Sequence, residues 1–178
     1  MMKISKRVKI VGLVIAVALV SFAAFMIVAG SDVMSSQATG SELIKPGGPA
    51  TGRALVVYNP GLSGAPKDAA TQIANDLRAR GYEVTLAGVK SDAAANVSGY
   101  DVIVAGGPIY GGKVSPSIDS YLRALTPPAN AKVGAFAIGG SSGNAFPDVA
   151  RLKATALFPS GNGIDRERAA FEAKLLAP

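Results

Sequence analysis

Three segments hold nine of the chain's 21 glycines: Asn59 to Ala65 (NPGLSGA), Gly106 to Lys113 (GGPIYGGK) and Gly139 to Ala145 (GGSSGNA). Glycine lets a backbone come close to a ligand, and successive backbone amides are well suited to gripping phosphate. The first segment runs straight into a helical pattern that begins at Pro66, where unpaired amides and the positive end of the helix dipole favour an anion. It lacks the Gly-Lys-Ser/Thr ending of a Walker A loop, and the chain has no Gly-x-Gly-x-x-Gly, so the expected anion is a single phosphate. One or two glycines would serve a tight turn in any one of these loops. Three such loops at one sheet edge form a continuous crevice, which is the form a ligand site takes.

Side-chain chemistry is scarce by comparison. The chain has no Cys, His or Trp, which removes disulfides, Cys/His metal sites, thiol nucleophiles and Ser-His-Asp triads. The net charge of +6 is concentrated at the start: Lys3, Lys6, Arg7 and Lys9 leave 14 basic against 12 acidic residues from Ser31 onward, a net +2. The remaining basic residues are scattered, so no nucleic-acid footprint is expected.

The elements that must position the loops follow from hydrophobic pattern. Arg53 to Tyr58 and Asp101 to Ala105 are short, nearly continuous apolar runs, as in parallel strands covered on both faces. Tyr82 to Leu86 alternates, Val133 to Ile138 is another buried run, and Ala154 to Phe158 is a weaker fifth strand. Pro66 to Arg80 puts Ala69, Ala70, Ile73, Ala74 and Leu77 on one helical face and stops at Gly81. Ser115 is placed to cap a second helix carrying Ile118, Leu122 and Leu125, which ends before Pro127 and Pro128. Short helices are expected over Asp92 to Ser98 and Phe146 to Lys153, and a final one over Asp165 to Leu176. Strands and helices alternate, so the class is α/β with five strands.

Ahead of this domain, residues 53–178, lie three other segments. Residues 1–9 are basic. Residues 10–30 contain IVGLVIAVALVSFAAFMIVA, 20 uncharged residues that as a helix measure about 30 Å and match a hydrocarbon core. A cleaved signal peptide is the rival reading, although its apolar region is usually shorter. The basic start predicts a cytoplasmic N-terminus and an extracytoplasmic domain. Residues 31–52, rich in Ser, Gly and Ala without sustained periodicity, read as a flexible tether.

With these residues assembled, Ala54 to Leu125 resembles the flavodoxins, small electron carriers that hold flavin mononucleotide (FMN). Two stretches carry the resemblance: YDVIVAGGPIYGGKVSPSIDSYL, from Tyr100 to Leu122, and the first loop. It implies a flavodoxin-like doubly wound five-stranded parallel sheet of order 2-1-3-4-5, preceded by one transmembrane helix. It also implies FMN held by Asn59, Gly61, Leu62, Ser63, Gly64, Ala65, Pro66 and Lys67 around the phosphate. Gly107, Pro108, Ile109, Tyr110, Gly111 and Gly112 would flank the ring, with Tyr110 stacked on it, and Gly139, Gly140, Ser141, Ser142 and Gly143 would hold the pyrimidine end. The family's first loop commonly reads Ser/Thr-x-Thr-Gly-Asn-Thr. Here Ser63 and Gly64 fit the Thr-Gly step, while Gly61, Ala65 and Pro66 depart from it. Two absent hydroxyls correspond to roughly 10² to 10⁴ in affinity.

The resemblance implies electron transfer through bound flavin, with an unidentified redox protein or a quinone as partner and the membrane engaged through the N-terminal helix. No side chain is expected to be catalytic. Two alternatives stand beside it: a flavin-dependent quinone-linked oxidoreductase, and a binding or structural module of the same fold that has lost the cofactor.

Overall fold

A computed structural model describes residues 6–30, 32–139, 145–149, 152–158 and 164–178. The apolar N-terminal run forms one long helix, α1 (Lys6–Gly30). Its span Lys6–Ile27 has a mean hydropathy of 2.9 and is 0% buried by the rest of the molecule, so it is long and apolar enough to cross a membrane.

The domain's strands are β1 (Ser41–Ile44), β2 (Gly52–Tyr58), β3 (Tyr82–Gly88), β4 (Val102–Tyr110), β5 (Lys113–Val114), β6 (Lys132–Ile138) and β7 (Leu152–Phe158). Its helices are α2 (Ala65–Ala79), α3 (Asp92–Ala95), α4 (Pro116–Ala124) and α5 (Ile164–Leu176). The sheet order is β1-β3-β2-β4-β6-β7. Within it β3-β2-β4-β6-β7 pair in parallel, giving the expected order 2-1-3-4-5 of flavodoxin-like doubly wound sheets. Two strands were not expected. β1 adds antiparallel to β3 at one edge, and β5 folds back on β4 as a two-stranded hairpin.

Continuous apolar strands bury both faces. Ala54 and Val56 face a layer formed with Ile73 and Leu77 of α2 and Phe171 and Leu175 of α5. Leu55 and Val57 face the opposite layer, with Ile118 and Leu122 of α4 and Ala94 of α3. Phe136 and Phe158 stack at 5.7 Å on the α2/α5 side. Each such fully buried aromatic contributes about 3 to 5 kcal/mol relative to alanine.

Two expectations from the sequence are corrected. Residues 31–52 were read as a free tether, but Val33–Gln37 form a 3-10 turn and Ser41–Ile44 a sheet strand. Strand pairing across β3 supplies the register that the segment's own sequence lacks: Lys90 N donates to the Ala38 carbonyl and Gly88 N to the Gly40 carbonyl, both at 2.9 Å. A helix was expected over Phe146 to Lys153. Instead Leu152 and Lys153 begin β7, drawn into the sheet by the parallel ladder with β6.

Candidate crevice at the carboxyl edge of the sheet

Strand order reverses between β2 and β4, and the loops after these two strands meet at the carboxyl edge, where ligands bind in sheets of this type. The first loop is organised by Asn59, whose side chain is 0% exposed. Its Oδ1 accepts from Gly61 N at 2.9 Å, closing an Asx turn. Gly61 then packs on Pro108 of the second loop, leaving about the room of one tight contact: an added Cβ would lie 3.0 Å from the proline ring.

At the start of α2 the backbone turns through Gly64 at φ 76°, and Ser63 Oγ accepts from Ala65 N at 3.3 Å. Lys67 N and Asp68 N both donate to the Gly64 carbonyl. These amides are therefore engaged within the loop's own turn, Pro66 has none to offer, and Pro66 itself is buried. Open space remains above Gly64, where an added Cβ meets nothing within 4 Å. Lys67 Nζ lies 6.0 Å from the Tyr58 ring centre and Leu62 is exposed.

The second loop is closely packed at its start. Gly106 and Gly107 are packed by the chain itself, with an added Cβ meeting the Phe136 ring at 2.3 Å and Ile118 and Ser115 Oγ at 3.0 Å. Ile109 and Tyr110 pair with Val114 and Lys113 across Gly111 and Gly112 at φ 56° and 80°, the primed turn that suits a hairpin. Gly111 also faces open space. Tyr110 is half-buried. Burial raises its phenol above the ordinary value, a hydrogen bond from the Leu62 backbone opposes that, and the nearby Asp32 charge adds to the rise. The Tyr110 phenol thus faces the Leu62 backbone of the first loop.

Of the third loop, Gly139 is described: its amide donates to the Phe158 carbonyl at 3.3 Å and it packs on Ile109. Gly140, Ser141, Ser142 and Gly143 lie outside the described residues. The loop's return is tied to the second, because Val114 N donates to the Ala145 carbonyl at 2.8 Å.

Sequence reading missed Asp32, Ser115 and Ser117 as members of this edge. Asp32 is only 6% exposed. One carboxylate oxygen accepts from Asn59 Nδ2 and the other from Ser117 N at 2.8 Å, at the first turn of α4. Asn59 Nδ2 also lies 3.0 Å from Ser117 Oγ and 3.2 Å from Ser115 Oγ. Ser115 occupies the cap position of α4, as expected, but its hydroxyl makes no capping bond; the Asp32 carboxylate accepts from Ser117 N in its place. No local pattern could have found this, since Asp32 reaches across 27 residues to Asn59 and 85 to Ser117. Directly after an apolar helix an acid reads as a flank of the membrane segment.

No protein-family model matches the chain, and no curated protein matches its sequence. Among solved structures it is similar to rubredoxin oxygen:oxidoreductase from the anaerobe Desulfovibrio gigas, with 19% identity and a TM-score of 0.45. That similarity covers 72% of this chain and 38% of the other, so the chain spans well under half of that protein's length. The α/β class of the domain and the flavodoxin-like order of its parallel strands follow from its own ladders.

Proposed function

We propose that this chain is a membrane-tethered FMN protein of flavodoxin type that passes electrons through the bound flavin, its N-terminus cytoplasmic and its domain outside. The observation that carries the reading is the meeting of the first and second loops at the strand-order reversal, with open space above Gly64. A backbone rim with room above it fits a phosphorylated ring compound better than it fits a substrate needing a reactive side chain. Ser63, Gly64, Ala65 and Lys67 would hold the phosphate, the Tyr110 ring would meet the isoalloxazine, and Gly139 with residues 140–143 would meet its pyrimidine end. Flavin supplies one- and two-electron chemistry; the protein's part is to bind it, orient it and exclude water. The redox partner is a protein or a quinone.

A second reading, a module of this fold without cofactor, is favoured by two observations. The Asp32 carboxylate is held against Asn59 at the start of the first loop, a charge of the wrong sign for a phosphate, while the amides at Ala65 and Lys67 are already bonded within the loop.

Titration of the full chain in detergent micelles with FMN separates the two. The flavin reading expects quenched flavin fluorescence and a raised melting temperature, with Lys67→Ala weakening binding by about tenfold or more. Unchanged fluorescence and melting at saturating FMN would leave the cofactor-free module.

A further inference from the structure

The second residue after α1, Asp32, is bound inside the domain. Gly30 ends α1 and one residue, Ser31, separates it from Asp32. Two peptide steps span at most about 7 Å between Cα atoms. The Asp32 carboxylate is held by Asn59 of the first loop and by Ser117 at the start of α4. Asp32 is also the one non-glycine among the described residues with positive φ, at 56°, a conformation costing about 1 kcal/mol that its hydrogen bonds offset. The strap is then stitched onward through Ala38 and Gly40 to β3. The carboxyl edge is thus fastened within about 7 Å of the last residue of α1.

A cavity of about 550 Å³ lies at this junction, with Phe25 and Met26 of the helix as one wall and Ile109, Tyr110 and Val114 of the hairpin with Pro116 at the start of α4 as the other. Phe25 and Met26 are exposed apolar residues of the helix. The exposed Lys113 stands beside the cavity at the hairpin tip, and a tyrosine next to a lysine is the pairing favoured where hydrocarbon gives way to headgroups.

We infer that the Ile109–Val114 hairpin is a lipid-docking surface: Asp32 latches the carboxyl edge of the domain onto the bilayer, phospholipid acyl chains fill the cavity between hairpin and span, and Lys113 lies at headgroup level. The crevice therefore opens along the membrane surface, and its partners reach it there. This rests on reading α1 as a membrane span, and does not depend on flavin.

The absence of cysteine makes the test clean. The full chain is labelled with bimane at Lys113→Cys or, at the opposite edge of the sheet, at Asn130→Cys. Each is reconstituted into phosphatidylcholine/phosphatidylglycerol vesicles with and without brominated acyl chains. Strong quenching at 113 with none at 130 is the expected result, and Asp32→Ala should remove most of it. Because Asp32→Ala also disturbs the crevice, a second variant carries a Gly/Ser insertion of about 12 residues between Ser31 and Asp32, adding roughly 20 Å of reach. That insertion should leave melting unchanged yet abolish quenching at 113. Equal quenching at both positions, or quenching that survives both variants, overturns the docking inference. Failure of the protein to float with the vesicles instead overturns the span reading.

Discussion

Asp32 and Glu172 are both carboxylates withdrawn from water, 6% and 1% exposed, and they lie toward opposite ends of the sheet. At the carboxyl edge, Asp32 is met by uncharged donors: a side-chain amide and the backbone N–H at the start of α4. Toward the amino edge, where α2 ends against α5, Glu172 is met by charges. Arg80 Nη2 lies 3.2 Å away and Arg168 Nε 3.9 Å, while Arg168 is shared with Asp76 at 2.9 Å and Asp165 at 3.2 Å. Burial, and then the neighbouring Asp76 carboxylate, push Glu172 up to about 7 against the pull of Arg80 and Arg168. Neutral donors in fixed directions turn a buried carboxylate into a positioning device, whereas a crowd of charges turns one into a proton-linked group. The first kind sits at the crevice and the second far from it.

The largest effect is expected from breaking the first arrangement. Asn59→Leu keeps the bulk but leaves the Asp32 carboxylate buried with Ser117 N alone, and should lower stability by about 3 kcal/mol or more. Thermal unfolding of the full chain in micelles measures this. Adding Asp32→Ala to Asn59→Leu should recover part of the loss; no recovery would mean that Asn59 acts only through its own loop.

A smaller effect should follow from lifting the strap elsewhere. In Gly88→Ala the new Cβ would lie 2.3 Å from the Ala38 carbonyl oxygen, and backbone cannot yield as a side chain can. A loss of about 1 to 3 kcal/mol is expected, together with new protease cutting between residues 33 and 40. Cutting at the wild-type rate would show that the strap does not depend on this contact.

The third effect is the smallest and sharpens the other half of the comparison. Glu172 is raised from an ordinary 4.5 to about 7 in the folded state, so the folded protein holds its proton where the unfolded chain has released it. Below pH 4.5 both forms are protonated and nothing is lost. Between about 4.5 and 7 stability falls as pH rises, and above 7 the penalty is complete, on the order of 1 kcal/mol or more. Urea unfolding across this range should show that slope in the wild type and a flatter one in Glu172→Gln. Identical slopes would remove Glu172 as its source.

Much of the fold was legible because its signals are local. Pro66, the apolar stripe to Leu77 and Gly81 define α2 without outside help, and its observed range, Ala65–Ala79, shifts by one residue at each end. Runs such as ALVV and VIVA mark strands covered on both faces. β1 was not legible, since Ser41–Ile44 is exposed along three of its four residues and owes its conformation to pairing with β3. The expected helix over Phe146 to Lys153 failed for the same reason, because a neighbouring ladder overrode a weak local pattern. In the crevice, the glycine count located the first two loops at one edge, yet Gly106 and Gly107 serve packing against Phe136 and Ile118, which composition cannot distinguish from ligand approach.

The sequence alone determined which segments are apolar, where α2 starts and stops, and that no cysteine or histidine chemistry is available, since these depend on residue type and on neighbours within a few positions. Tertiary structure alone decided that Asp32, Asn59 and Ser117 form one network and that the segment after the apolar N-terminal helix is part of the sheet. Hydrogen bonds between residues 27 to 85 positions apart leave no periodic trace in a chain; they exist only once parallel pairing has brought the carboxyl ends of β2 and β4 side by side.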